Sequence, residues 1–317
     1  MSATTTTTNT SKPAWGPIAA FVLIAWGLAW IVCLPLWLGD GLSTPYGMLL
    51  LPVMMWTPAV ATLVVTLFMR MPPKGERLRF LGIWPMRPAK RLIGLIVLGW
   101  LAPIALVVLI IAVSGALGLA TLDFTFAGFA QMIAAGTPEG VPAPPIELLV
   151  LVQLVMIPVG AIINCFAAFG EEIGWRGWLL PALRPLGTWP ALLVSGAIWG
   201  IWHTPIILLG YNFGRTDITG VLLMLGGCVA WGVFFGWLRL RSGSLWPAVI
   251  GHGSLNAVGG LVLLLQPVGQ TFDLATVGPI GVVGWGVLAV LVAVLVATGQ
   301  FRRQPPLAST PAPRTGP

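Results

Sequence analysis

Apolar runs of about 20 residues, the length a helix needs to cross the hydrocarbon core of a bilayer, recur along the chain at 18–38, 47–69, 92–114, 146–183, 188–208, 218–238, 244–265 and 278–298. They predict an all-α, polytopic transmembrane helical bundle of about eight spans. The fourth run is too long for one crossing, and Pro158 and Gly160 interrupt it. Two readings stay open there: a kinked helix, or a short interfacial segment followed by the true span.

Composition narrows the solvent. Of 317 residues, 57% are hydrophobic and 8% charged, against roughly 25% charged in a soluble domain, so a water-soluble globule is excluded. Sixteen Trp beside two Tyr, with 40 Gly and 28 Pro, fit helices in lipid. The net charge of +7 reads as loops facing an anionic cytoplasmic leaflet, not as a nucleic-acid surface. With the N-terminus inside, Lys12, the 70–91 loop, Arg176, Arg184, Arg239, Arg241, Arg302, Arg303 and Arg314 all fall in or towards the cytoplasm, leaving only Arg215 outside. The positive-inside rule therefore predicts cytoplasmic N- and C-termini in a multi-pass cell-membrane protein. Asp40, Asp123, Glu139, Asp217 and Asp273 fall in the outer connections. The basic 70–91 loop, with Leu78, Phe80, Leu81, Ile83 and Trp84 interspersed, reads either as a membrane-surface segment or as a solvated connector.

The organisation expected is a Thr-rich disordered tail over 1–17, N-terminal membrane helices over 18–145, a catalytic membrane domain over 146–265, a final outer loop and last span over 266–298, and a disordered basic tail over 299–317. The first span reads as an uncleaved anchor. Cys33, Cys165 and Cys228 lie in apolar stretches at unrelated spacings, which predicts neither disulfides nor a metal knuckle. No repeat of 20 to 50 residues is visible in the sequence.

Few ionisable groups remain at membrane depth: Glu171, Glu172, Arg176, His203 and His252. A charge near the bilayer centre costs at least about 2.5–3.5 kcal/mol, and such residues usually face a wet cavity. Glu172 and Arg176 are four apart and share a helix face, which predicts a charge-assisted pair; Glu171, about 100° round the helix, is left available. Trp199 and His203 form a second i, i+4 set, and His252 and Asn256 a third. Counted from Arg184, Thr188 and Arg241, residues 171, 203 and 252 lie at depths of roughly 20, 22 and 17 Å, which favours one shared site.

A carboxylate and an imidazole converging on a water can remove its proton, while a second imidazole and an amide NH2 donate to an oxyanion. That equipment suits amide hydrolysis. Arg176 is expected to tune Glu171 as well. Ser195 and Ser254 rank below activated water as nucleophiles, since Ser254 lies on roughly the opposite helix face from His252.

E-E-x-x-x-R at Glu171, Glu172 and Arg176, aromatic-x-x-x-His at Trp199 and His203, and His-x-x-x-Asn at His252 and Asn256 together resemble the CPBP family, the CAAX proteases and bacteriocin-processing (Abi) proteins that include the CAAX prenyl endopeptidases. The resemblance covers about 165–260. It implies an intramembrane endopeptidase in which Glu171 activates water with His203, His252 and Asn256 form the oxyanion site, and Glu172 with Arg176 supports them. The second family motif usually begins with Phe, where this chain has Trp199, which bears on the shape of the pocket. The family is commonly labelled metalloprotease, and Glu171, His203 and His252 would be a feasible zinc set; the favoured reading requires no cofactor. Implied partners are membrane lipid and a protein or peptide substrate near the membrane, with no nucleic acid. The competing readings are a non-catalytic scaffold or bacteriocin-immunity protein, then a proton-coupled transporter, which the absence of a visible repeat disfavours.

Overall fold

The structure is a computed structural model that describes residues 12–138, 144–302 and 304–305. Its α-helices are α1 Trp15–Leu38, α2 Gly47–Met55, α3 Thr57–Leu67, α4 Arg77–Phe80, α5 Ala89–Ala116, α6 Ala127–Gly136, α7 Ile146–Glu172, α8 Leu180–Leu183, α9 Thr188–Trp202, α10 Thr204–Ile207, α11 Ile218–Ser242, α12 Trp246–Val258, α13 Leu274–Val277 and α14 Val282–Ala297. Among the described residues there is no strand. Most of both expected tails, with Glu139, Arg303 and Arg314, lies outside the described residues.

Among the described residues, seven helical segments are long and apolar enough to cross a membrane, against about eight expected. The run at 188–208 is the one that falls short, because α9 ends at Trp202 after 15 residues. Pro205, which has no N–H to give the helix ladder, follows three residues later, and the Ile201 carbonyl instead accepts the Thr204 hydroxyl at 2.5 Å. Of the two readings left open for 146–183, neither describes the segment fully. Helix runs without a break from Ile146 to Leu186, through a π-helical stretch at Ile173–Leu179, with Pro158 inside α7. The Pro158 carbonyl accepts the Trp100 indole N–H at 3.2 Å, which ties α5 to α7 at this level.

The connections rich in Lys and Arg gather at one end of the bundle. Arg77 reaches the Thr66 carbonyl at 2.8 Å, Arg239 the Phe80 carbonyl at 2.8 Å, and Leu245 N–H the Gly82 carbonyl at 2.8 Å. Trp189 packs on Phe301 at the same end. Phe80 and Leu81 are buried whereas Leu78 and Trp84 are exposed, so the middle of the 70–91 connection is anchored in the bundle while its flanks stay exposed. At the opposite end the Trp37 indole donates to the Pro205 carbonyl at 2.9 Å, and Arg215 lies 3.5 Å from Asp273. Asp217 caps α11 there by accepting the Thr219 N–H at 2.9 Å, and the Thr219 hydroxyl, which donates to the same oxygen, together with that N–H holds its carboxyl below the usual carboxylate range.

Small residues set the helix contacts that carry the polar groups, as expected where lipid removes the hydrophobic drive and close packing must replace it. On α9, a methyl at Gly200 would stand 2.6 Å from Leu225 Cα of α11, and one at Gly196 would stand 2.9 Å from Val229 Cα. On α7, Gly170 lies against Met55 and Trp56, where α2 gives way to α3, and a methyl there would be 2.8 Å from the Met55 carbonyl. On α12, a methyl at Gly253 would be 2.5 Å from the Ala161 carbonyl of α7. Backbones therefore approach on three sides of the same core, and helices that need to exchange polar contacts are close enough to do so.

Gly200→Ala should force α9 and α11 apart at a cost of about 1–3 kcal/mol, read as a lower thermal unfolding temperature of the detergent-solubilised protein. Gly27→Ala, on an exposed face with nothing within 4 Å, should leave it unchanged or slightly raised. Equal behaviour of the two variants would show that the α9–α11 approach is not tight.

Candidate active site

Glu171 and Glu172 are the last two residues of α7, and Arg176 lies in the π-helical stretch that continues it. π segments are rare and frequent at functional sites. Arg176 Nη1 donates to Glu172 Oε1 at 2.8 Å, and His252 Nδ1 of α12 meets the same oxygen at 2.9 Å. Glu172, Arg176 and His252 are 0, 1 and 4% exposed, so the desolvation cost of the acid is set against two charge-assisted contacts and not one. The expected Glu172–Arg176 pair is present. Its link to His252 joins α7 to α12 and is not legible from spacing within one helix.

Glu171 has a different environment. Its Oε2 accepts the Trp199 indole N–H at 2.6 Å and the Trp175 indole N–H at 3.3 Å. Arg176 serves Glu172 instead of tuning Glu171 as expected; its guanidinium lies over the Trp199 ring, 4.2 Å from the centroid. Glu171 lines a cavity of about 500 Å³.

His203 follows directly after α9. Because the helix ends there, His203 N–H bonds to the Gly200 carbonyl at 3.2 Å in place of the i−4 carbonyl, which leaves the Trp199 carbonyl to pair with His203 Nδ1 at 3.0 Å. A carbonyl only accepts, so Nδ1 carries the hydrogen and Nε2 of the neutral ring offers a lone pair. The His252 ring stacks on Phe235, 5.7 Å between centroids and 14° between planes, and meets Trp199 edge-on at 5.4 Å. Asn256, one turn beyond His252, is exposed and lines the cavity.

Glu171, His203, His252 and Asn256 thus border one cavity, with Glu172 and Arg176 behind His252. Sequence reasoning missed Tyr211, Asn212 and the α2 residues Met48, Met54 and Met55, which also border it; they belong to no polar i, i+4 set that would have signalled them. Ser254 is buried outside the cavity lining, and its hydroxyl has no partner among the described residues. Among the described residues, no group of three or more His, Cys, Asp or Glu side chains is arranged to hold a metal ion. The zinc set Glu171, His203 and His252 is not assembled, and His252 Nδ1 is engaged by Glu172.

Residues 153–258 match the family model described as type II CAAX prenyl endopeptidase Rce1-like. Over this segment the chain is similar to that family. The segment spans about a third of the chain and includes every one of the polar residues described above. It is the part of the chain where the CPBP resemblance was read. No curated protein and no solved structure matches the chain.

In the Rce1-like segment, Arg176→Met should leave Glu172 with one partner of two and lower stability by about 3–5 kcal/mol, the range for breaking a buried pair. Thermal unfolding in detergent would read this. An unfolding temperature equal to that of the wild type would show that Arg176 carries no structural load.

Proposed function

We propose that the protein is an intramembrane endopeptidase of the CAAX type that hydrolyses peptide bonds of membrane-associated substrates with water activated by Glu171 and His203. The observation that carries this reading is the asymmetry of Glu171. One carboxylate oxygen is held by two indole N–H groups, while the other makes no hydrogen bond to the described protein and belongs to a side chain bordering the cavity shared with His203, His252 and Asn256.

In this reading, water in the cavity gives a proton to Glu171 Oε1 and hydrogen-bonds to the Nε2 lone pair of His203 as its oxygen attacks the scissile carbonyl carbon. Negative charge then grows on the carbonyl oxygen. His252, carrying hydrogen on both ring nitrogens in this reading, gives Nδ1–H to Glu172 and donates from Nε2, and the Asn256 amide donates beside it. Collapse of the tetrahedral intermediate breaks the C–N bond, and the proton held by Glu171 passes to the leaving amine. Glu172 and Arg176 hold His252 and take no part in bond making. No cofactor enters these steps.

The partners implied are membrane lipid and a protein or peptide substrate. The gathering of the basic connections at one end supports an orientation with that end, and both termini, in the cytoplasm. Reporters fused to each terminus, one active only inside the cell and one only outside, should both report inside; an external signal from either would overturn this topology.

Substrates are best found by comparing membrane proteomes of cells carrying the wild type or Glu171→Gln, followed by assay of a fluorogenic peptide built on a recovered cleavage site. Glu171→Gln keeps the shape and removes the base, so turnover should fall about 100-fold or more, and phenanthroline should leave wild-type turnover unchanged. Full activity of Glu171→Gln would overturn the proteolytic reading in favour of a scaffold. Activity lost to the chelator and restored by zinc would overturn the metal-free step.

A further inference from the structure

We infer that Trp199 is a positioning residue for hydrolysis: its indole N–H holds one oxygen of Glu171 and its backbone carbonyl holds His203, so that one residue aims both groups at the same water. The inference rests on the proposed role of Glu171 and adds to it a residue that borders the same cavity but takes no part in bond making in that scheme.

Four contacts converge on Trp199. The indole N–H reaches Glu171 Oε2 at 2.6 Å, at the short end for an N–H donor to a carboxylate. The carbonyl, released from the helix ladder where α9 ends, faces His203 Nδ1 at 3.0 Å. The ring face carries the Arg176 guanidinium at 4.2 Å, a cation–π contact that keeps the cation beside Glu172 and away from Glu171. The ring also meets the His252 ring edge-on at 5.4 Å. Trp199 itself is 3% exposed, fixed by α11 through the close approaches at Gly196 and Gly200. A phenylalanine would keep the ring and the carbonyl but not the N–H. Glu171 would then be free to turn its Oε2 away, with only the longer 3.3 Å contact from Trp175 to hold it.

The N–H acts on orientation, so its loss should appear in the chemical step and not in substrate binding. Trp199→Phe should lower kcat about 10- to 100-fold, the range for a hydrogen bond to a charged group, with KM unchanged within about twofold. Trp175→Phe, which removes the longer bond to the same oxygen, should lower kcat less. Benzothienylalanine at position 199, where sulfur replaces the N–H in an otherwise matching ring system, should reproduce the Trp199→Phe loss with an unchanged thermal unfolding temperature. This variant decides the question even where Trp199→Phe fails to fold.

Glu171→Gln is assayed alongside on the same fluorogenic peptide. Wild-type kcat in the benzothienylalanine protein, with Glu171→Gln inactive, would overturn the role of Trp199 and leave the proteolytic reading standing. A loss divided equally between kcat and KM, or one matched by Trp175→Phe, would reduce Trp199 to packing. An active Glu171→Gln would remove the premise itself.

Discussion

The site depends on an acid taken out of water: Glu172, wholly buried, holds Arg176 of its own helix and His252 of another on a single oxygen. In the low-dielectric interior an isolated carboxylate would be prohibitively costly, and a pair alone often only breaks even. Adding the imidazole supplies a second charge-assisted contact and makes the relative placement of α7 and α12 a condition of burying the acid at all. The polar cluster therefore works as a registry device, and the glycines that let the helices close up, Gly253 against α7 and Gly170 against the α2–α3 junction, make that registry physically accessible.

Two adjacent carboxylates acquire opposite duties from this arrangement. Glu172 is met by a guanidinium and an imidazole and directed inward. Glu171, 100° further round, is met by indole N–H groups that donate a hydrogen bond without contributing a full charge. The aromatic belt around the pair, Trp175, Trp199, Trp202 and Phe235, carries no formal charge yet distributes the charges of its neighbours, because each ring touches at least one ionisable or imidazole side chain. Similar groups given dissimilar surroundings differ in their chemistry, and here one residue step along a helix is enough.

Much of this was legible in the order of residues. Apolar runs located the spans, because lipid leaves a helix with no other way to satisfy its backbone, and the cost of charge at membrane depth singled out Glu171, Glu172, Arg176, His203 and His252. The i, i+4 rule paired Glu172 with Arg176. Four features escaped. The Glu172–His252 contact crosses from α7 to α12, and periodicity within one helix carries no information about a neighbour's rotation. The truncation of α9 was hidden because an apolar run continues past Pro205, although the chain turns. The bond from Trp199 to Glu171 gave no sign, since a hydrophobic scale counts the indole ring and ignores the hydrogen on its nitrogen. The π-helical stretch at Ile173–Leu179 has no signature in the hydrophobic pattern.

The early end of α9 also shapes the site. Fifteen residues rise about 22 Å, short of the roughly 30 Å core of a bilayer, and the turns that follow, with Tyr211 and Asn212, wall the same chamber as Glu171. Two carbonyls at this corner have left the ladder: that of Ile201, to which Pro205 can offer no N–H, takes the Thr204 hydroxyl, and that of Trp199 takes the imidazole of His203. The irregular backbone that closes the helix early is thus the same backbone that anchors a ring at the chamber wall.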